Sequence, residues 1–166
     1  MNVNVVLTNI ASGYVGYREI GENEAFEHPV FQKLLYDRGW RPGLAWCSFF
    51  CELVYYEVYD KEVDPLFSAS AVQTFYNFKK AGWDVTDNPV RGGLAVWQLY
   101  KNGKKQWQGH IAVIESSLRD TITTIDGNSN NIGSRLGFMV ARVTRVINRE
   151  QNNGLRLLGF IKPKEI

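Results

Sequence analysis

The strongest constraint on this chain is a change of texture at Gly92-Gly93. Before it, apolar residues recur at helical spacing; after it, short runs of Val, Ile and aromatic residues alternate with turn residues. Helices first and strands later predict an α+β fold, with amino-terminal helices packed on a carboxyl-terminal antiparallel sheet of about five strands. Val5, Ile10, Tyr14 and Val15 mark a first helix, and Phe31, Leu34 and Leu35 a second over residues 28–38. A turn-rich loop at 40–43 leads into 45–59, where Phe49, Phe50, Leu53, Val54 and Val58 form a broad stripe expected on the most buried helix. Ser68 or Ser70 caps a fourth helix that carries Val72, Phe75 and Phe78 and ends at Gly82. The strands are expected at 94–100, 110–115, 121–125, 138–147 and 155–161, with the Asn-rich stretch 128–131 as a loop.

At 166 residues and 45% hydrophobic, the chain has the size and composition of one domain, expected to span 1–166. No segment approaches the roughly 20 apolar residues of a membrane span. The first Lys or Arg is Arg18, and no long apolar core precedes it, so synthesis in the cytoplasm without a secretory signal is expected. The net charge is only +2, from 19 basic and 17 acidic residues, but 135–166 carries seven basic side chains against Glu150 and Glu165. Those charges, Arg142, Arg145 and Arg149 among them, alternate with apolar residues as the solvated face of strands does. Neither a nucleic acid nor a membrane is an expected partner.

Cys47 opens the predicted central helix, where free backbone amides and the helix dipole favour a thiolate and face a developing oxyanion. It fits a nucleophile there, or a small buried apolar residue. Cys51, one turn later among Phe49, Phe50, Leu53 and Val54, reads as packing. The two are too far apart at helical i, i+4 spacing for an unstrained disulfide and are expected reduced. With only His28 and His110 to join them, no metal site is expected. His110 opens an apolar strand and has the placement of a general base, whereas His28 beside Pro29 reads as a helix start. The following strand ends in Asp126-Gly127-Asn128. A hairpin between the two strands brings Asp126 or Asn128 to the imidazole, although the same tripeptide is also an ordinary turn.

Taken in order, Gly16-Tyr17-Arg18-Glu19, Asn23, Gly39-Trp40, Ala45-Trp46-Cys47-Ser48-Phe49-Phe50, Gly109-His110-Ile111-Ala112-Val113 and Ile125-Asp126-Gly127-Asn128-Ser129-Asn130 resemble the CHAP domains, papain-like cysteine- and histidine-dependent amidohydrolases/peptidases of bacteria and phages. The resemblance implies a papain-like fold and hydrolysis of amide bonds in peptidoglycan, as amidase or endopeptidase. By position, Cys47 matches the nucleophile, His110 the base, Asp126 the acid that orients it and Asn128 the polar residue beside that acid. The family more often has Glu at the position of Asp126, so the shorter Asp leaves the orienting role open between Asp126 and Asn128.

Trp46, Ser48, Glu19 and Asn23 are expected near the substrate, with Ser48 either supporting the oxyanion or capping the helix, and Trp83, Trp97 and Trp107 as further apolar walls. No cofactor is implied. The expected partner is the peptide of peptidoglycan, met after release from or injection by a cell. The same triad also suits hydrolysis or acyl transfer on a non-wall amide, and the fold alone suits a silent wall-binding module.

Overall fold

The computed structural model describes residues 2–129 and 137–166. Four α-helices come first: α1 (Val3–Gly13), α2 (Pro29–Asp37), α3 (Cys47–Tyr59) and α4 (Ala71–Lys80). Two-residue strands β1 (Glu19–Ile20) and β2 (Ala25–Phe26) pair between α1 and α2. The remaining strands are β3 (Val85–Thr86), β4 (Leu94–Lys101), β5 (Lys104–Leu118), β6 (Thr121–Ser129), β7 (Met139–Val146) and β8 (Gly154–Ile161). They form one six-stranded sheet in the order β3-β8-β4-β5-β6-β7, with every neighbouring pair antiparallel.

The fold is therefore the expected α+β arrangement with a slightly larger sheet. The sixth strand, β3, is two residues long and pairs only with β8, too short to leave a periodic signature. Strand β5 begins at Lys104, because Asn102 and Gly103 both adopt positive φ and close a tight two-residue hairpin with β4. Strand β6 runs through Asp126-Gly127-Asn128, so this tripeptide is not a turn. Asn128 and Ser129 of the expected Asn-rich loop belong to the strand, while Asn130 and Asn131, like Arg135, lie outside the described residues.

Local chemistry explains the helix boundaries. Asn2, His28 and Ser70 cap α1, α2 and α4, each accepting a first-turn amide; Ser70, not Ser68, is the cap of α4. Between helices and sheet lies the main core, in which Phe31, Trp40, Trp46, Phe50, Tyr55 and Phe78 meet Val96, Ile111, Val113 and Ile125. Alternate residues of the same strands, Ala95, Trp97, Ala112, Ile114 and Ile122, join Leu157 and Phe160 in a second buried cluster. A sheet buried on both sides gives β4 and β5 near-continuous apolar runs. Among the described residues no helix is long and apolar enough to cross a membrane.

Candidate active site

Helix α3 begins at Cys47, with Trp46 as its N-cap residue, whose side chain makes no capping bond to the first-turn amides. Those amides have no acceptor within the helix, so they concentrate partial positive charge beside the Cys47 sulfur. The start of α3 is braced from below. Trp46 is fully buried, and its indole N–H donates to Glu19 Oε2 at 2.7 Å. Glu19 also accepts the backbone N–H of Asn23; burial raises its pKa, and these two hydrogen bonds oppose that rise. Asn23, at φ 59°, accepts the Gly43 N–H at 2.7 Å through its carbonyl and so ties the loop before α3 to the small β1–β2 hairpin.

Two glycines let the sheet approach this helix start. A Cβ at Gly127 would stand 2.6 Å from Phe50 Cβ and 3.1 Å from Trp46 Cε3, so only glycine lets β6 pass against the first turn of α3. A Cβ at Gly109 would collide with the Trp97 carbonyl oxygen and come within 2.8 Å of Val72 Cγ2 on α4. Each glycine is adjacent to a residue of the site, and that gives the Gly-His and Asp-Gly motifs a physical reason.

His110 is 1% exposed and Asp126 is fully buried. His110 Nε2 lies 2.7 Å from Asp126 Oδ2, which leaves Nδ1 as the ring nitrogen available to Cys47, whose side chain lines the same cavity and acts on the ring. Burial is the strongest influence on the imidazole and lowers its pKa. Hydrogen bonds and charge from Asp126 and Cys47 together override it and raise the pKa to about 9. The imidazolium is thus the favoured form at neutral pH. Asp126 is affected chiefly by burial, which would raise its pKa, but the Arg145 charge and the His110 hydrogen bond hold it below the usual carboxylate range. The Thr124 hydroxyl donates to Asp126 Oδ1 at 2.6 Å, and Arg145 Nη2 donates to Oδ2 at 2.7 Å.

Of the expected site residues, Cys47, His110, Asn128 and Asn23 line a common cavity of about 260 Å³, whose rim carries Trp107, 78% exposed. Asp126 stands behind His110. It makes the ring contact that the sequence left open between Asp126 and Asn128. Glu19 and Trp46 brace the site and do not line the cavity. Ser48 lies inside the first turn of α3, where its buried hydroxyl meets Thr74 Oγ1 on α4 at 3.2 Å; it does not cap α3.

Of the other tryptophans expected as walls, Trp97 lies behind His110 with centroids 5.7 Å apart and the rings tilted by 32°, and Trp83 is remote, packed on Tyr59 and Phe78. Cys51 is fully buried packing, and both cysteines are free thiols. A larger hollow of about 540 Å³ beside Leu34, Arg38 and Tyr56 holds neither Cys47 nor His110, and its one cation, Arg38, is already paired with Asp64 at 2.7 Å.

Sequence reasoning missed two members of this network. Arg145 reads as part of a solvated strand face, yet its side chain is only 14% exposed and bonds Asp126. Thr124 reads as an ordinary strand residue. A charged residue in the apolar run of β7 is the only hint, since its partner lies 19 residues away on a neighbouring strand.

A family model described as the CHAP domain matches residues 39–128, a span that contains Cys47, His110, Asp126 and Asn128. No curated protein sequence matches the chain. Among solved structures, the crystal structure of Ly7917 is similar at 19% sequence identity and a TM-score of 0.47, over 98% of this chain and 63% of that one. The chain therefore spans less than two thirds of the length of that protein.

Proposed function

The chain belongs to the CHAP domain family of cysteine- and histidine-dependent amidohydrolases, and from that premise we propose that it cleaves amide bonds in bacterial peptidoglycan, with Cys47 as nucleophile and His110 as acid and base. The observation that carries this reading is the buried line from Cys47 through His110 to Asp126, set at the start of α3 and opening on one cavity. A thiol and an imidazole held this way need no cofactor to attack an acyl carbon.

In the proposed reaction the proton of the Cys47 and His110 couple already sits on the imidazole, and the Cys47 sulfur attacks the carbonyl carbon of the bound amide as the thiolate. The oxyanion that forms is met by the free first-turn amides of α3. His110 then protonates the departing amine as the C–N bond breaks, leaving a thioester on Cys47. Water enters, His110 takes its proton, the new C–O bond displaces the thiolate, and the acid product leaves. Asp126 holds the ring so that Nδ1 faces the sulfur throughout and stabilises the imidazolium each time it forms. Asn23, Asn128 and Trp107 line the path of the peptide on the substrate side. The enzyme meets the wall after release from or injection by a cell.

Purified peptidoglycan from several bacteria, digested by the wild type and by Cys47→Ala and read by mass spectrometry, tests the proposal. New peptide or amide termini with the wild type alone are the expected result, and their chemistry names the bond. No release from any wall, by a folded protein whose Cys47 still alkylates rapidly, would overturn the wall substrate and leave a non-wall amide as the target.

A further inference from the structure

We propose that Arg145 is a positioning residue for the Cys47 and His110 couple, acting through Asp126 to balance the buried charge that a thiolate brings; this rests on Cys47 being the nucleophile. Four ionisable groups follow one another here with alternating sign: the Cys47 sulfur, the His110 imidazolium, the Asp126 carboxylate and the Arg145 guanidinium. With all four charged the line sums to zero. Without Arg145, a thiolate would leave two negative charges facing one positive charge in a site where His110 and Asp126 are cut off from water, and burial of net charge disfavours that state.

The geometry is built for this role. Arg145 Nη2 and His110 Nε2 both stand 2.7 Å from the same oxygen, Asp126 Oδ2. Arg145 Nη1 donates to Thr124 Oγ1 at 2.9 Å, and the Thr124 hydroxyl donates to Asp126 Oδ1 at 2.6 Å. The guanidinium fork therefore fixes both oxygens of the carboxylate, one directly and one through a hydroxyl. Its carbon lies 4.8 Å from the centroid of Trp97, the ring that also backs His110. Among the described residues, the charged and titratable groups facing Asp126 or its partner His110 are Cys47 and Cys51 from α3, His110 itself from β5 and Arg145 from β7, and β4 contributes the Trp97 ring. Cys51 is fully buried, and burial, with the charges of Cys47 and Asp126, holds its thiol protonated.

Removing a fixed positive charge raises the pKa of every acid and base near it, so both the appearance of the thiolate and the loss of the imidazolium move in the same direction. The rate of Cys47 alkylation by iodoacetamide, followed across pH and located by fragment-ion mass spectrometry, reads this without any wall substrate. Arg145→Met is expected to displace the profile to higher pH by about one pH unit. Arg145→Lys, which keeps the charge and loses the fork, should stay close to wild type.

A folded Arg145→Met protein whose profile coincides with that of the wild type overturns the proposal. Should Arg145→Met fail to fold, Arg145→Gln keeps a donor toward Asp126 without the charge and is held to the same displacement. In the wild type, Cys47 reacting no faster than Cys51 would overturn the nucleophile reading itself, an outcome distinct from coincident profiles.

Discussion

Glu19 and Trp46 meet through a single hydrogen bond, indole N–H to carboxylate at 2.7 Å, and this contact joins a two-residue strand to the residue immediately before Cys47. Trp46 is fully buried, so its N–H has nowhere else to donate once the carboxylate is gone.

Glu19→Ala should therefore cost about 1–3 kcal/mol in unfolding free energy, the usual cost of a stranded buried donor. Glu19→Gln keeps an acceptor for the indole and should recover most of it. Urea unfolding of both variants checks this. Activity should fall further than stability in Glu19→Ala, because the N-cap residue of α3 sets where the Cys47 sulfur stands.

Asp126 and Asn128 are separable by mutation. Asp126 is fully buried between His110 and Arg145, so Asp126→Asn leaves a buried cation without its counter-ion. Destabilisation of about 3–5 kcal/mol is expected, together with a loss of hydrolysis of about 10²–10⁴-fold as the ring loses its orientation. Asn128→Ala should leave His110 in place, with a smaller effect on the alkylation rate of Cys47. Equal losses of Cys47 reactivity in the two variants would remove the distinction drawn between them.

The parts of this molecule legible in the sequence are those whose signal is local. The stripe of Phe49, Phe50, Leu53 and Val54 announces α3, and the motif order announces Cys47, His110 and Asp126. The strands β1, β2 and β3 are two residues each and owe their pairing to partners elsewhere, so no local period marks them. Asp126-Gly127-Asn128 carries the composition of a turn, yet it continues β6 through an irregularity between Asp126 and Ser129, because Gly127 has no Cβ to collide with Phe50 and Trp46. Arg145 shows the other limit. Its neighbour Arg142 is an ordinary surface charge, 47% exposed and paired with Glu115, and only the tertiary fold distinguishes the two.

Trp107 is 78% exposed on β5 and lines the cavity, so it adds almost nothing to the core, and in the proposed function it has a place against the bound peptide. Trp107→Ala should leave the melting temperature and the Cys47 alkylation profile unchanged while raising KM on wall fragments about tenfold, the loss of roughly 1.4 kcal/mol of contact. A fall in kcat at unchanged KM would place Trp107 in the chemistry instead of in binding.

The raised pKa of His110 also makes stability depend on pH. The ring holds its proton to about pH 9 in the folded chain, and an unfolded histidine releases it near 6.5. The folded state therefore binds the proton more tightly, and the stabilisation is fully present below about pH 6.5 and is lost as pH rises through about 9. Over that window unfolding free energy should fall by up to about 3 kcal/mol. Cys47→Ala removes one of the two partners that raise the ring, so its decline should be complete at a lower pH. Since the chain has only two histidines, His28 and His110, the ring signals in a heteronuclear NMR titration are readily assigned, His28→Gln identifying the other. A His110 signal that titrates near 6.5 in the wild type would refute both the ion pair and the stability profile drawn from it.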